Sequence, residues 1–165
     1  MRLKTRTNYK KKCFMNRQEL EDMMRKDIGR NICYCRAGGG AGSIILLDLD
    51  NKDTYWISGY WWLFYNRRII CTYEDDCTAL IGKVPKNLMR MEGMKVTDVQ
   101  ITTDLFLCLT IDNNYILVAD GWNKEYADAD NEYYDGGWRY SVPSLNKSYE
   151  ITKNGDFIET CYGLV

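Results

Sequence analysis

From Asn31 onward the chain is built of short runs of branched and aromatic residues, each closed by residues that favour turns. Asn31–Arg36, Ser43–Asp50, Thr54–Tyr65, Arg68–Tyr73, Met94–Thr102, Leu105–Ile111, Tyr115–Ala119, Trp138–Val142 and Ser148–Thr152 are such runs. Side chains of these types pack well on a pleated surface. Asp50-Asn51-Lys52-Asp53, Asn66-Arg67, Asp112-Asn113-Asn114 and Asn154-Gly155 punctuate them, and Asn, Asp and Gly tolerate the backbone angles that tight turns need. The pattern predicts a strand-dominated domain of about eight or nine strands, largely antiparallel.

One helix precedes the strands. Asn16-Arg17-Gln18-Glu19 has the form of a capping box, in which the Asn side chain accepts from free first-turn amides while Glu19 reaches back. Leu20, Met23, Met24 and Asp27 continue the face, and Gly29 is placed to end it with a left-handed residue. This predicts a single N-terminal amphipathic helix of about three turns, and hence an α+β fold. Between Asp75 and Glu92, which includes Pro85, the irregular pattern predicts a connection with at most a short helix.

Tyr60-Trp61-Trp62-Leu63-Phe64-Tyr65 breaks the rule that a half-exposed strand alternates. Side-chain alternation puts Tyr60, Trp62 and Phe64 on one face and Trp61, Leu63 and Tyr65 on the other. The expectation is a central strand between a second sheet and the leading helix. The alternative leaves Trp61 and Tyr65 exposed as a docking patch.

The segments 29–74 and 93–158 share an order of landmarks. Each starts with Gly, has a β-branched residue three positions on (Ile32, Val96), then an apolar strand, an Asp-Asn turn, a Trp-led strand (Trp62, Trp138) and a strand ending the unit (Ile69, Ile151). Such repetition suggests two β-meander units, with chance similarity of composition as the alternative.

A length of 165 residues suits one domain with its own core. Residues 1–15 read as a basic, partly mobile arm and 16–165 as that domain. Arg2, Lys4, Arg6, Lys10, Lys11 and Lys12 make the start basic, yet the formal net charge is -1, which argues against a general nucleic-acid binder. No apolar run is long enough to span a bilayer, and the start lacks the apolar core of a signal peptide. With 7 cysteines, an odd number, free thiols in a reducing cytosol are expected rather than a disulfide framework.

The order Gly29, Arg36-Ala37-Gly38, an apolar strand, Trp62, Ile69-Ile70, Asp75-Asp76, Gly93, Val96, the Asp104-Leu105 strand and Trp138-Arg139-Tyr140 resembles small bacterial β-rich proteins of uncharacterised function. Some proteins of that kind are immunity proteins encoded beside secreted toxins. The resemblance implies a cytosolic protein inhibitor and carries over no site residue.

The chain has no histidine, which excludes Ser-His-Asp and Cys-His nucleophiles and the His-containing zinc sites. Cys33-Tyr34-Cys35 with Cys71 and Cys77 is a poor zinc set, because a one-residue spacer on a strand separates the thiols by about 7 Å. Arg36-Ala37-Gly38-Gly39-Gly40-Ala41-Gly42-Ser43 could cradle an anion on its amides, but a strand follows where a helix N-terminus is needed. A flexible connection is the plainer reading, and no metal or cofactor is expected.

Asp120–Asp135 is the most unusual stretch, with six acids against Lys124. It reads either as a solvated loop or as a recognition element. In the second reading Glu125, Asp128, Asp130, Glu132 and Asp135 attract a basic partner while Trp122, Tyr126, Tyr133 and Tyr134 supply rigid contacts, and Arg139 orients nearby carboxylates. The leading expectation is a non-enzymatic, immunity-like module that occludes a basic toxin. A small-ligand sensor with a pocket lined by Trp62 and Trp138 is the alternative. A hydrolase using Glu125 or Glu132 is weaker.

Overall fold

A computed structural model describes residues 11–121, 137–152 and 154–162. Twelve strands and two short α-helices occur among them: β1 (Lys11–Met15), α1 (Arg17–Met24), β2 (Ile32–Arg36), β3 (Ile45–Leu49), β4 (Thr54–Ile57), β5 (Trp61–Tyr65), β6 (Arg68–Thr72), α2 (Lys83–Met89), β7 (Val96–Ile101), β8 (Leu107–Ile111), β9 (Tyr115–Ala119), β10 (Trp138–Val142), β11 (Lys147–Ile151) and β12 (Phe157–Cys161). They form two antiparallel sheets, in the orders β1-β12-β11-β10-β4-β3-β2 and β6-β5-β9-β8-β7.

The fold is therefore β-rich α+β, with more strands than the sequence pattern predicts. The run Thr54–Tyr65 is two strands, because at Ser58-Gly59-Tyr60 the chain leaves one sheet for the other. Lys11–Met15, within the basic start, pairs with β12 as an edge strand. A second helix, α2, occupies the connection after β6; Pro85 sits in its first turn, where an amide has no helical acceptor to lose.

Helix α1 carries the capping box: Glu19 N donates to Asn16 Oδ1 at 2.9 Å and Asn16 N to Glu19 Oε2 at 3.1 Å. It continues as a 3-10 turn, Arg25–Asp27, and Gly29 follows at φ 89°. Leu20 and Met24 are buried. The helix lies beside β7, where Arg17 and Arg25 donate to the carbonyls of Ile101 and Val99 and Glu21 accepts from Ile101 N. It does not cover β5, whose second face turns outward.

The two sheets repeat one plan. In each half a helix leads into a three-stranded meander, β2-β3-β4 or β7-β8-β9, and the chain then crosses to the other sheet as β5-β6 or β10-β11. The crossing strands pair with the opposite meander, β5 with β9 and β10 with β4. Bonds recur in reciprocal pairs. Gly29 N donates to Val96 O and Gly93 N to Ile32 O, both at 2.7 Å, and Asn31 bridges Lys95 between them. The crossings touch where Gly59 N donates to Gly137 O at 2.9 Å and Asp120 N to Tyr60 O at 2.8 Å. A Cβ on Gly59 would stand 2.8 Å from Gly137 Cα, and one on Gly137 would overlap the Asp120 carbonyl, so this contact needs glycine. β12 and β1 extend only the larger sheet.

Both inner faces feed one core containing Ile45, Leu47, Tyr55, Ile57, Trp61, Leu63, Leu109, Leu117, Trp138 and Tyr140, all fully buried. No helix among the described residues is long and apolar enough to cross a membrane.

Candidate functional site

The outer face of the five-stranded sheet is set by register. Trp62 lies opposite Val118 and Val118 opposite Cys108; Phe64 lies opposite Ile116 and Ile116 opposite Thr110. All six are half-buried. At one end of this face the rings of Tyr60 and Tyr73 stack with centroids 4.5 Å apart, Trp62 meets Tyr73 edge-on at 6.1 Å, and Phe106 lies 6.5 Å from Trp62. Ile69, opposite Phe64 and 55% exposed, extends the apolar surface onto β6. The helices packed on this sheet's edge strands are α1, beside β7, and α2, beside β6.

Acids rim the aromatic end. Tyr73 Oη donates to Glu74 Oε1 at 3.3 Å, and Asp75 follows, paired with Lys83 Nζ at 2.9 Å. That bond holds the Asp75 carboxyl below the usual range. A cleft of about 550 Å³ adjoins Phe106 and is lined by Thr103, Asp104, Leu105, Phe106, Asp120, Asn154 and Gly155. Arg67, in the β5–β6 turn, and Arg68, the first residue of β6, stand at the opposite end.

Most of the acidic-aromatic segment, namely Trp122, Glu125, Tyr126, Asp128, Asp130, Glu132, Tyr133, Tyr134 and Asp135, lies outside the described residues. Its connection runs from β9, in the middle of the five-stranded sheet, to β10. Arg139 is on the outer face of the larger sheet, opposite Trp56 and Glu150; its Nε lies 4.0 Å from Glu150 Oε2 and has no hydrogen-bond partner among the described residues. Neither Trp62 nor Trp138 lines the cleft beside Phe106. Trp138 is fully buried, its ring 5.9 Å from that of Phe157 and its Nε1 donating to Leu105 O at 3.1 Å. Trp62 approaches the next residue, Phe106, from the outer face. Trp61 is core, with Nε1 donating to Ser43 O at 2.7 Å.

The glycine-rich connection spends its amides internally: Gly38 N bonds Gly42 O and Gly39 N bonds Cys77 O. All seven cysteines are free thiols. Burial pushes Cys35 up to about 12 and Cys71 up to about 11, which leaves both without nucleophilic thiolate near neutrality. Among the described residues no group of three or more Cys, Asp and Glu could hold a metal ion.

A second polar constellation was not foreseen from the sequence. Asp27 and Asp53 are both buried, and Asn51 Nδ2 donates to both, at 2.9 Å to Asp27 Oδ1 and 3.1 Å to Asp53 Oδ2. Tyr55 Oη donates to Asp27 Oδ2 at 2.8 Å and Tyr140 Oη to Asp53 Oδ2 at 2.9 Å, with the two rings 5.0 Å apart. Lys26 Nζ lies 3.1 Å from Asp53 Oδ2. Burial raises the Asp27 carboxyl above the ordinary value, against the hydrogen bonds from Asn51 and Tyr55; burial also raises both tyrosines. The sequence signal was an acid at the third place of the buried helical stripe Leu20, Met24, Asp27.

Comparison with known proteins finds no matching family model, no matching curated protein and no matching solved structure.

Proposed function

We propose that this chain is a non-enzymatic protein-binding module that docks a basic partner on the outer aromatic face of its five-stranded sheet, in the manner of an immunity protein occluding a toxin domain in the cytosol. The observation that carries the reading is the half-exposed cluster of Tyr60, Trp62, Tyr73 and Phe106. A contiguous aromatic surface on a sheet marks an interaction site, and Trp and Tyr are the residues that most often dominate binding energy. Glu74, Asp75, Asp104 and Asp120 gather at the same end, and the acid-rich segment after residue 121 begins there. Opposite charge on the partner would steer its approach and fix its orientation.

The test is capture from the native host with the tagged chain and with Trp62→Ala, at low and high salt. A single basic protein, held by the parent, weakened by salt and lost with Trp62→Ala while the fold is kept, supports the reading. Equal capture by both chains removes the aromatic face from the account. The cleft beside Phe106 would then favour the small-ligand reading, to be followed by a thermal-shift screen of metabolites.

A further inference from the structure

The repeated plan allows one half of the molecule to serve as the control for the other. Asp27 follows α1 as Met91 follows α2: Arg30 N donates to Asp27 O at 3.0 Å and Met94 N to Met91 O at 3.1 Å. Tyr55 and Tyr140 are paired in register between β4 and β10, just as Leu117 and Leu63 are between β9 and β5. The buried trio Asp27, Tyr55 and Tyr140 thus stands where the other half has Met91, Leu117 and Leu63, all six fully buried. The architecture closes this position with apolar side chains, and buried charge replaced by well-packed apolar groups is commonly neutral or stabilising. Packing alone therefore does not account for two carboxylates here.

We propose that Asp27 and Asp53 form a proton-binding latch that fastens the end of the α1 segment to the larger sheet. The groups facing the pair are Lys26 from the 3-10 turn, Asn51 from the β3–β4 turn, Tyr55 from β4 and Tyr140 from β10. Arg25 and Arg30 of the same segment are engaged elsewhere, with Asp98 at 2.9 Å and Asp50 at 3.9 Å. Two carboxylates thus face one cation. With both ionised, one negative charge in a buried site is uncompensated; a proton on Asp27 removes it and leaves Asp53 paired with Lys26. The proton keeps the Asp27–Tyr55 contact with its direction reversed, because the Tyr55 hydroxyl can accept as well as donate. The sign follows from linkage. The folded chain holds this proton over an interval in which the unfolded chain has released it, so the latch is strongest below that interval and weakens as pH rises through it.

The test follows the Asp27 carboxyl carbon by NMR in the intact, aspartate-labelled chain from about pH 3 to pH 9, where ordinary aspartates titrate near 3.9. It also measures thermal unfolding across the same range for the parent, Asp27→Asn, and the combined Asp27→Met, Tyr55→Leu, Tyr140→Leu chain that copies the other half. Expected are titration of Asp27 above the ordinary range and a parent melting temperature that falls through that transition. Asp27→Asn should lack that fall, gaining roughly 2 °C or more on the parent at alkaline pH. The combined variant should stay folded without the pH step. Titration of Asp27 at or below the ordinary value, or the same pH profile in parent and Asp27→Asn, overturns the latch. A combined variant that fails to fold overturns the claim that the architecture does not need these groups.

Discussion

Trp61 and Trp138 occupy equivalent places in the two halves: each opens a crossing strand, each is fully buried, and each donates its indole N–H to a carbonyl two residues before a meander strand, Ser43 for Trp61 and Leu105 for Trp138. Each bond ties one sheet to the other. Replacing either tryptophan by Phe keeps most of the apolar contact but removes the bond to a half-buried carbonyl, at a cost of about 0.5–1.5 kcal/mol. Urea unfolding of Trp61→Phe and Trp138→Phe should show similar losses, and a large loss for one beside none for the other would deny the equivalence.

The glycine contact between the crossings is a steric requirement. Gly137→Ala places a methyl group on the Asp120 carbonyl, so the crossings must part, at a cost of roughly 1–3 kcal/mol or more. Gly40→Ala meets open space and should be neutral within about 0.5 kcal/mol. Denaturant midpoints of the two variants decide it.

Thiol labelling near pH 8 should divide the cysteines by burial. Cys33 is exposed and should react in the folded chain, whereas Cys35 and Cys71, both buried and raised by that burial, should react only on unfolding. Peptide mass spectrometry reads the order, and early labelling of Cys35 would contradict the packing of β2.

Reversing Asp128 and Asp130 together to Lys should slow association with a basic partner, by about tenfold at low salt, and leave dissociation less affected. Stopped-flow association kinetics would show it; an on-rate that does not change rules out steering by this segment.

What the sequence made legible was local. The Asn16 to Glu19 cap, the Gly29 stop and most strands follow from short-range chemistry that residue types report directly. Sheet membership did not, because nothing within Thr54–Tyr65 but Ser58-Gly59 announces that the chain changes sheets. β1 was masked by its lysines. In YWWLFY the alternation was readable, but which face was core depended on strands distant in sequence: Trp61 faces the core and Trp62 faces out. Asp53 and Tyr140, 87 positions apart, could not be joined without the pairing of β4 with β10. Of the candidate site, the acidic segment was legible by composition, whereas the aromatic face needed Tyr73 and Phe106 brought beside Trp62 by the fold.

The most direct measurement compares Trp61→Ala with Trp62→Ala for both unfolding free energy and affinity for the captured partner. Trp61→Ala should lose about 3–5 kcal/mol of stability, whereas Trp62→Ala should keep most of its stability and lose about 2 kcal/mol or more of binding. Undiminished binding by a folded Trp62→Ala chain would contradict the proposal that the outer face of the five-stranded sheet receives the partner.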